Sequence, residues 1–375
     1  MLAALILIAV SVVRVPVAEG YLRSLFQLLA ETGAFFLFAV FIYCFVNKWW
    51  GLFLALTLFS TIYPGFGKWT HMARGVILVG CLWYALLVLT VKDPRRLLDA
   101  ICVIAIANIL FANLQYCGFD PYNIATFGLM DSASIHPTGF MANKNLLSAL
   151  LAFSLTAFFR KRWAWFVPFV FFGLTIASSS GGAVAATVMT FGYFFLKDGR
   201  DALRKNFWKM SLLVVWFCFF TFKIDQPVTI EVEKKGEVLM ITHGQESRTS
   251  TWKTGLDLYA QRPFWGFGIG HWKLIFKKMA KPGASVMVQA HNEYVQGLFE
   301  MGILFPVIIL GYFISAIRRY KKGAILSITA VGIIALNSLV NFPFHVATTA
   351  IMAVTWMAIL EIQLRQEKQT IKGVV

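Results

Sequence analysis

Charge is what this 375-residue chain has least of: 14% of its residues are Asp, Glu, Lys or Arg, against 58% hydrophobic. That balance excludes a soluble domain of this size, in which about a quarter of the residues would be charged. Acidic residues are the scarcer sign, 18 against 34 Lys and Arg, and leave a net charge of +16. An excess of this kind would suit a nucleic acid if it formed one face or stripe, but here it falls in short clusters between apolar runs. The five cysteines, Cys44, Cys81, Cys102, Cys117 and Cys218, lie in or at the ends of apolar runs. Their spacings form neither a zinc site nor a disulfide framework, and they read as small core residues. There is no repeat of fixed period and no low-complexity tract. Residues 1–18 could be a signal peptide ending at Ala18, but no basic residue precedes their apolar run.

What remains is a chain of apolar runs, approximately 2–15, 25–46, 49–63, 72–91, 97–116, 145–159, 163–179, 182–196, 208–222, 293–315, 324–341 and 344–360. They predict an all-α polytopic membrane protein of about 12 transmembrane helices, several of them shorter than the ~20 residues of a straight span. Lys48, the clusters Lys92 to Arg96, Arg160 to Arg162, Lys197 to Lys209 and Arg318 to Lys322, and the tail with Arg365, Lys368 and Lys372 fall on alternate loops. The positive-inside rule then puts both termini in the cytoplasm and the opposite loops outside. Three parts follow: a bundle of about nine spans over 1–222, a large exterior loop over 223–292, and three spans with a cytoplasmic tail over 293–375.

The exterior loop is where a water-facing structure can form. Val228 to Thr242 alternates apolar and polar residues around Lys234-Lys235-Gly236 and predicts a β-hairpin. A helix follows, with Thr249 or Ser250 as N-cap, Trp252, Leu256 and Tyr259 on one face, and a stop at Pro263. Gly266, Gly268 and Gly270 form a turn that no strand leads into, which excludes a dinucleotide fingerprint. The run Trp272 to Met279, with Lys273, Lys277 and Lys278, predicts a segment lying at the membrane interface.

His291 stands where this loop re-enters the apolar part of the chain. In the first turn of a helix the macrodipole disfavours imidazolium, which leaves a neutral ring able to accept a proton; a polar capping residue is an equally good reading of position alone. Arg248 precedes Trp252 by four residues and fits either a cation–π pair or a bidentate phosphate clamp. Arg262 shares that ambiguity, with Pro263 favouring a turn. Asn143, Lys144 and Asn145 open a helix at its exterior end after His136, where side-chain amides cap and an anion is favoured. Capping alone is the more common role for such residues. Ser178-Ser-Ser-Gly-Gly-Ala183 predicts close helix contact through small residues.

Taken together, Gly139-Phe140 with Asn143-Lys144-Asn145, the Ser-rich hairpin, Arg248 with Trp252 and Pro263-Phe-Trp-Gly-Phe-Gly-Ile-Gly, and His291-Asn292 with Glu300-Met-Gly302 resemble the O-antigen ligase and polymerase superfamily. The resemblance spans about residues 130–360 and lies in the order of weak motifs and the one long loop before the last three spans. It implies a GT-C-like membrane fold in the bacterial inner membrane with a periplasmic active site. It implies transfer of a glycan from undecaprenyl diphosphate to a hydroxyl of a glycan or lipid A core acceptor, with no cofactor, metal or nucleic acid. By the same resemblance His291 is the general base and Arg248 binds the diphosphate, while Asn292, Lys144, Asn143, Asn145, His136, Trp252, Arg262 and Arg74 are candidates for holding substrate.

Two positions depart from the family's pattern. Gly181 stands where members commonly carry Arg in the Ser-rich hairpin, and His136 where an Arg is common ahead of Gly-Phe; Lys144, Arg74 or His136 are the substitutes at hand. A polysaccharide polymerase stays open beside a ligase, although a single dominant exterior loop favours the ligase. A transporter or a non-catalytic scaffold is a further alternative. Transport is disfavoured by spans nearly free of ionisable residues at mid-membrane depth.

Overall fold

The computed structural model of the chain describes residues 48–62, 84–120 apart from 86, 137–177 apart from 142, 180–224, 228–234, 237–243, 245–279, 289–320 and 322–372, with Ala3, Ala4, Leu7 and Cys81. The fold is helical apart from one hairpin. In chain order the helices are α1 (Lys48–Ile62), α2 (Arg95–Tyr116), α3 (Lys144–Ser154), α4 (Val167–Ile176), α5 (Ser180–Asp198) and α6 (Ala202–Ile224, kinked at Asn206). The hairpin strands β1 (Val228–Lys234) and β2 (Glu237–His243) follow, then α7 (Gln245–Tyr259), α8 (Trp272–Met279), α9 (Glu293–Met301), α10 (Leu304–Arg318), α11 (Ile325–Asn337) and α12 (Ala347–Lys372).

Among the described residues, Arg95–Tyr116 and Ala347–Arg365 are long and apolar enough to cross a bilayer, and the other strongly apolar helices are shorter. Two of the twelve expected spans thus reach full crossing length among the described residues; a 15-residue helix such as α10 is about 22 Å long, short of a ~30 Å hydrocarbon core. The runs 2–15, 25–46 and 72–91 lie largely outside the described residues. The run 293–315 is not one span. Gly302, at φ 71°, breaks it into α9 and α10, with its N–H bonded to the carbonyl of Leu298.

The core is helical and apolar on all sides of its central members. α3 is buried from Leu146 to Ser154, and α12 from Ala347 to Thr355, as expected for helices enclosed by neighbours. Gly182 lets α5 close on α3: a Cβ there would lie 2.5 Å from the carbonyl oxygen of Ser148. The small residues of the Ser-rich hairpin do permit the close contact expected of them, although Ser178 and Ser179 lie outside the described residues. Two polar clips hold the end of the bundle that carries the basic clusters. Arg319 makes a bidentate pair with the fully buried Glu361 at 3.0 and 2.9 Å, and Asp99 accepts from Arg160 at 2.8 Å and from the Trp163 indole at 2.7 Å. Cys81 and Cys102 are buried as expected of core residues, while Cys117 and Cys218 are exposed.

The hairpin forms where alternation predicts it, antiparallel in the register Val228↔His243 to Lys234↔Glu237. The helix after it begins at Gln245 rather than at a Thr249 or Ser250 cap, so both residues lie within α7. The amphipathic α8 does not turn its apolar face to the membrane. Trp272 and Phe276 are 1% and 0% exposed in a small core shared with Leu258, Phe267, Ala290 and Phe299, because the loop has its own apolar surface to cover.

Candidate active site

The loop is fastened backbone to backbone onto the end of α9. Phe267 N–H donates to the carbonyl of Phe299 at 2.9 Å, Gly268 N–H to Glu300 at 2.8 Å, and Ile303 N–H to Pro263 at 2.8 Å. Such an approach leaves no room for side chains: a Cβ on Gly266, itself at φ 66°, would lie 2.6 Å from the Phe299 carbonyl oxygen. Gly266 is therefore there for close packing, and Gly268 and Gly270, at φ 97° and 79°, take the left-handed backbone of the turn.

On the other side the loop is gripped by side chains. Trp252 of α7 donates its indole N–H to the carbonyl of Ala290 at 2.6 Å. The buried Gln296 of α9 accepts from Ala290 N–H at 3.0 Å and donates to Gln289 at 3.1 Å and Glu300 at 2.9 Å. Both bonds to Ala290 fix the residue just ahead of His291.

His291 is not in the first turn of the helix. Asn292 is the N-cap, its Oδ1 accepting from Tyr294 N–H at 2.9 Å and Val295 N–H at 3.1 Å, and His291 stands one residue earlier at φ 53°. It is the single non-glycine residue with positive φ among the described residues. A non-glycine residue in the left-handed region costs free energy that the surroundings must offset, and such residues collect at functional sites. The imidazole packs edge to face on Phe342, with centroids 4.8 Å apart, and its Nδ1 is buried with no hydrogen-bond partner among the described residues. Burial, then the charge of Arg248, then His345 push its pKa down to about 4. The neutral ring expected from the sequence is thus present, but through desolvation and a neighbouring cation rather than through the dipole alone.

Arg248, on α7, is half-buried, and desolvation lowers its pKa. The structure brings Arg248, Trp252, His291 and Asn292 together. Trp252 serves a backbone carbonyl rather than a cation–π pair with Arg248. Arg262 lies outside this group, exposed, with its guanidinium over the Phe267 ring at 5.2 Å. Asn143, Lys144 and Asn145 open α3, where Asn143 caps by accepting from Asn145 N–H at 2.8 Å. His136 and Arg74 lie outside the described residues.

Several residues of this region carry no local signal in the sequence. Gln115 Oε1 accepts from the N–H groups of Thr138 and Gly139 at 2.9 and 2.8 Å, and Asn108 Oδ1 from that of Phe140 at 3.1 Å, so α2 holds the Gly-Phe turn ahead of α3. Glu293 donates its N–H to Ser338 at 2.8 Å, and its carboxylate takes Phe344 N–H and the ring of His345. Asn337 is fully buried with neither amide atom partnered among the described residues. A Cβ on Gly181 would lie 2.6 Å from Val340 and 3.1 Å from the Asn341 amide nitrogen, so the turn after α11 occupies the room an arginine at 181 would use.

With this geometry in place, the comparison with family models is specific: residues 166–310 match the model described as O-antigen ligase. The match takes in the Ser-rich hairpin, Arg248, the glycine turn and the His291 to Gly302 segment, and supports the superfamily resemblance. No curated protein matches the chain.

Proposed function

We propose, from the O-antigen ligase domain carried by residues 166–310, that this chain is a membrane glycosyltransferase of surface-polysaccharide assembly. It moves a glycan from undecaprenyl diphosphate to an acceptor hydroxyl, in the manner of an O-antigen ligase. In this reading about 12 spans hold the protein in the bacterial inner membrane with both termini cytoplasmic, and the loop 223–292 forms the periplasmic site between the bundle 1–222 and the last spans. The acceptor is a glycan or a lipid A core.

The observation that carries the reading is His291: a neutral, buried imidazole on a left-handed backbone, held from both sides and facing the charge of Arg248. An imidazole kept neutral can take the hydroxyl proton as the oxygen attacks the anomeric carbon. A desolvated guanidinium beside it supplies fixed positive charge for the leaving diphosphate, and no step then requires a metal. Asn292 and Trp252 contribute by placing the His291 backbone. Lys144, Asn143 and Asn145, with His136, Arg74 and Arg262, remain the cations and amides available to the glycan or diphosphate.

The test is restoration of surface polysaccharide in a strain lacking the gene. His291→Ala and Arg248→Ala, present in the membrane at wild-type level, leave undecaprenyl-linked glycan unligated. Full-length surface polysaccharide from either variant refutes the assignment of that residue.

A further inference from the structure

Two buried groups beside His291 have so far been given only a structural part: Glu293, at the start of α9, and His345, just ahead of α12. Glu293 Oε1 takes the N–H of Phe344 at 2.8 Å and Nδ1 of His345 at 3.0 Å, and the two side chains are 6% and 4% exposed. A carboxylate oxygen only accepts, so Nδ1 of His345 carries a hydrogen, and in the neutral ring Nε2 carries the lone pair. That Nε2 is buried and has no partner among the described residues. One phenyl ring, Phe342, takes both imidazoles edge to face, His291 at 4.8 Å and His345 at 5.8 Å between centroids. The rings are close enough that His345 disfavours a proton on His291.

A simple staple between α9 and the turn before α12 would need the Nδ1 donor and nothing more. A buried ring nitrogen left without a partner is costly, and Nε2 adds nothing to such a staple. The same arrangement has a chemical use: a carboxylate that orients an imidazole and stabilises its protonated form makes the other ring nitrogen an effective base.

We propose that His345, its tautomer and orientation set by Glu293, is a second proton-accepting residue of this centre. The inference rests on the transfer reading above. In that transfer the acceptor's O–H bond breaks, and its electron pair forms the new bond to the anomeric carbon. The bond from that carbon to the diphosphate oxygen breaks, and its pair leaves with the diphosphate. The released proton is taken up first by His291 and passes on to Nε2 of His345, where Glu293 neutralises the charge. His291, desolvated and facing Arg248, does not retain that proton.

Three substitutions separate a base from a staple. His345→Asn keeps a side-chain N–H donor in the place of Nδ1 and removes the second nitrogen. His345→Gln does the reverse, and Glu293→Gln keeps an oxygen acceptor while removing the charge. In a purified transfer assay with undecaprenyl-diphosphate-linked glycan and lipid A core, His345→Asn lowers kcat by at least about 100-fold and Glu293→Gln by about 10-fold. KM stays within about 3-fold in both. His345→Gln, unable to take a proton, is as slow as His345→Asn. Wild-type kcat in His345→Asn overturns the inference, and if that variant does not fold, wild-type kcat in Glu293→Gln does so. An active wild type with a dead His291→Ala and a fully active His345→Asn overturns this inference alone. A wild type that transfers nothing overturns the transfer reading and this inference with it.

Discussion

The indole nitrogen of Trp252 lies 2.6 Å from the carbonyl oxygen of Ala290, so helix α7 holds the backbone one residue ahead of His291. Trp252→Phe keeps the ring in its apolar neighbourhood and removes that bond. The expected loss is about 1 kcal/mol of stability, seen as a lower unfolding midpoint in detergent. Glycan transfer should fall in kcat more than in KM, since the change loosens the base and not the substrate.

The depressed pKa of His291 makes stability depend on pH. Below pH 6.5 the unfolded chain protonates this residue, whereas the folded chain resists until about pH 4. Protons therefore favour unfolding across that window, and the unfolding midpoint falls as pH drops through it. His291→Gln flattens this part of the profile. Arg248→Gln removes one of the causes, and the imidazole signal of His291, followed by NMR of histidine-labelled protein, should titrate at a higher pH than in wild type.

Asn143 and Asn292 separate capping from substrate binding. Each spends its Oδ1 on the N–H groups of its own helix. Replacement by Ala should cost about 1 kcal/mol, measured as a shift of the unfolding midpoint, whereas Asp or Ser should restore most of it. Transfer rates that follow stability through the Ala, Ser and Asp series indicate capping alone. A loss of transfer in stable Asp variants indicates a contact made by the amide nitrogen.

Gly182 and Gly181 face different neighbours. A Cβ on Gly182 would press on the backbone of Ser148, so Gly182→Ala should destabilise by about 1–3 kcal/mol and lower the yield of folded protein from membranes. At Gly181 the nearest group is the Val340 side chain, which can move. Gly181→Arg is accordingly expected to need a smaller residue at 340, and Gly181→Arg with Val340→Ala to unfold at a higher temperature than Gly181→Arg alone.

Much of the layout was legible in the sequence, because it is written locally. Alternation marked the hairpin at Val228 to Thr242, the apolar runs marked α1 to α6 and α10 to α12, and the change of polarity at His291 marked the start of α9. The break at Gly302 was not legible, since the apolar run continues across it and only the packing against Phe264 and Trp265 requires the turn. The burial of Trp272 and Phe276 was missed because the hydrophobic side of a short amphipathic helix does not say whether lipid or protein covers it. Glu293 with His345, and Gln115 with the Gly139 turn, are pairs 52 and 24 residues apart. No local pattern connects them, and their partners appear only when the helices pack.

The central claim is that His291 serves glycan transfer from a lipid diphosphate, and it is tested most directly by single-turnover transfer with purified protein. Undecaprenyl-diphosphate-linked glycan and lipid A core are the substrates, with wild type compared to His291→Ala. Wild type should release one undecaprenyl diphosphate for each glycan joined to the acceptor, and His291→Ala should be slower by at least about 100-fold at an unchanged unfolding midpoint. Equal rates from the two proteins would contradict the account.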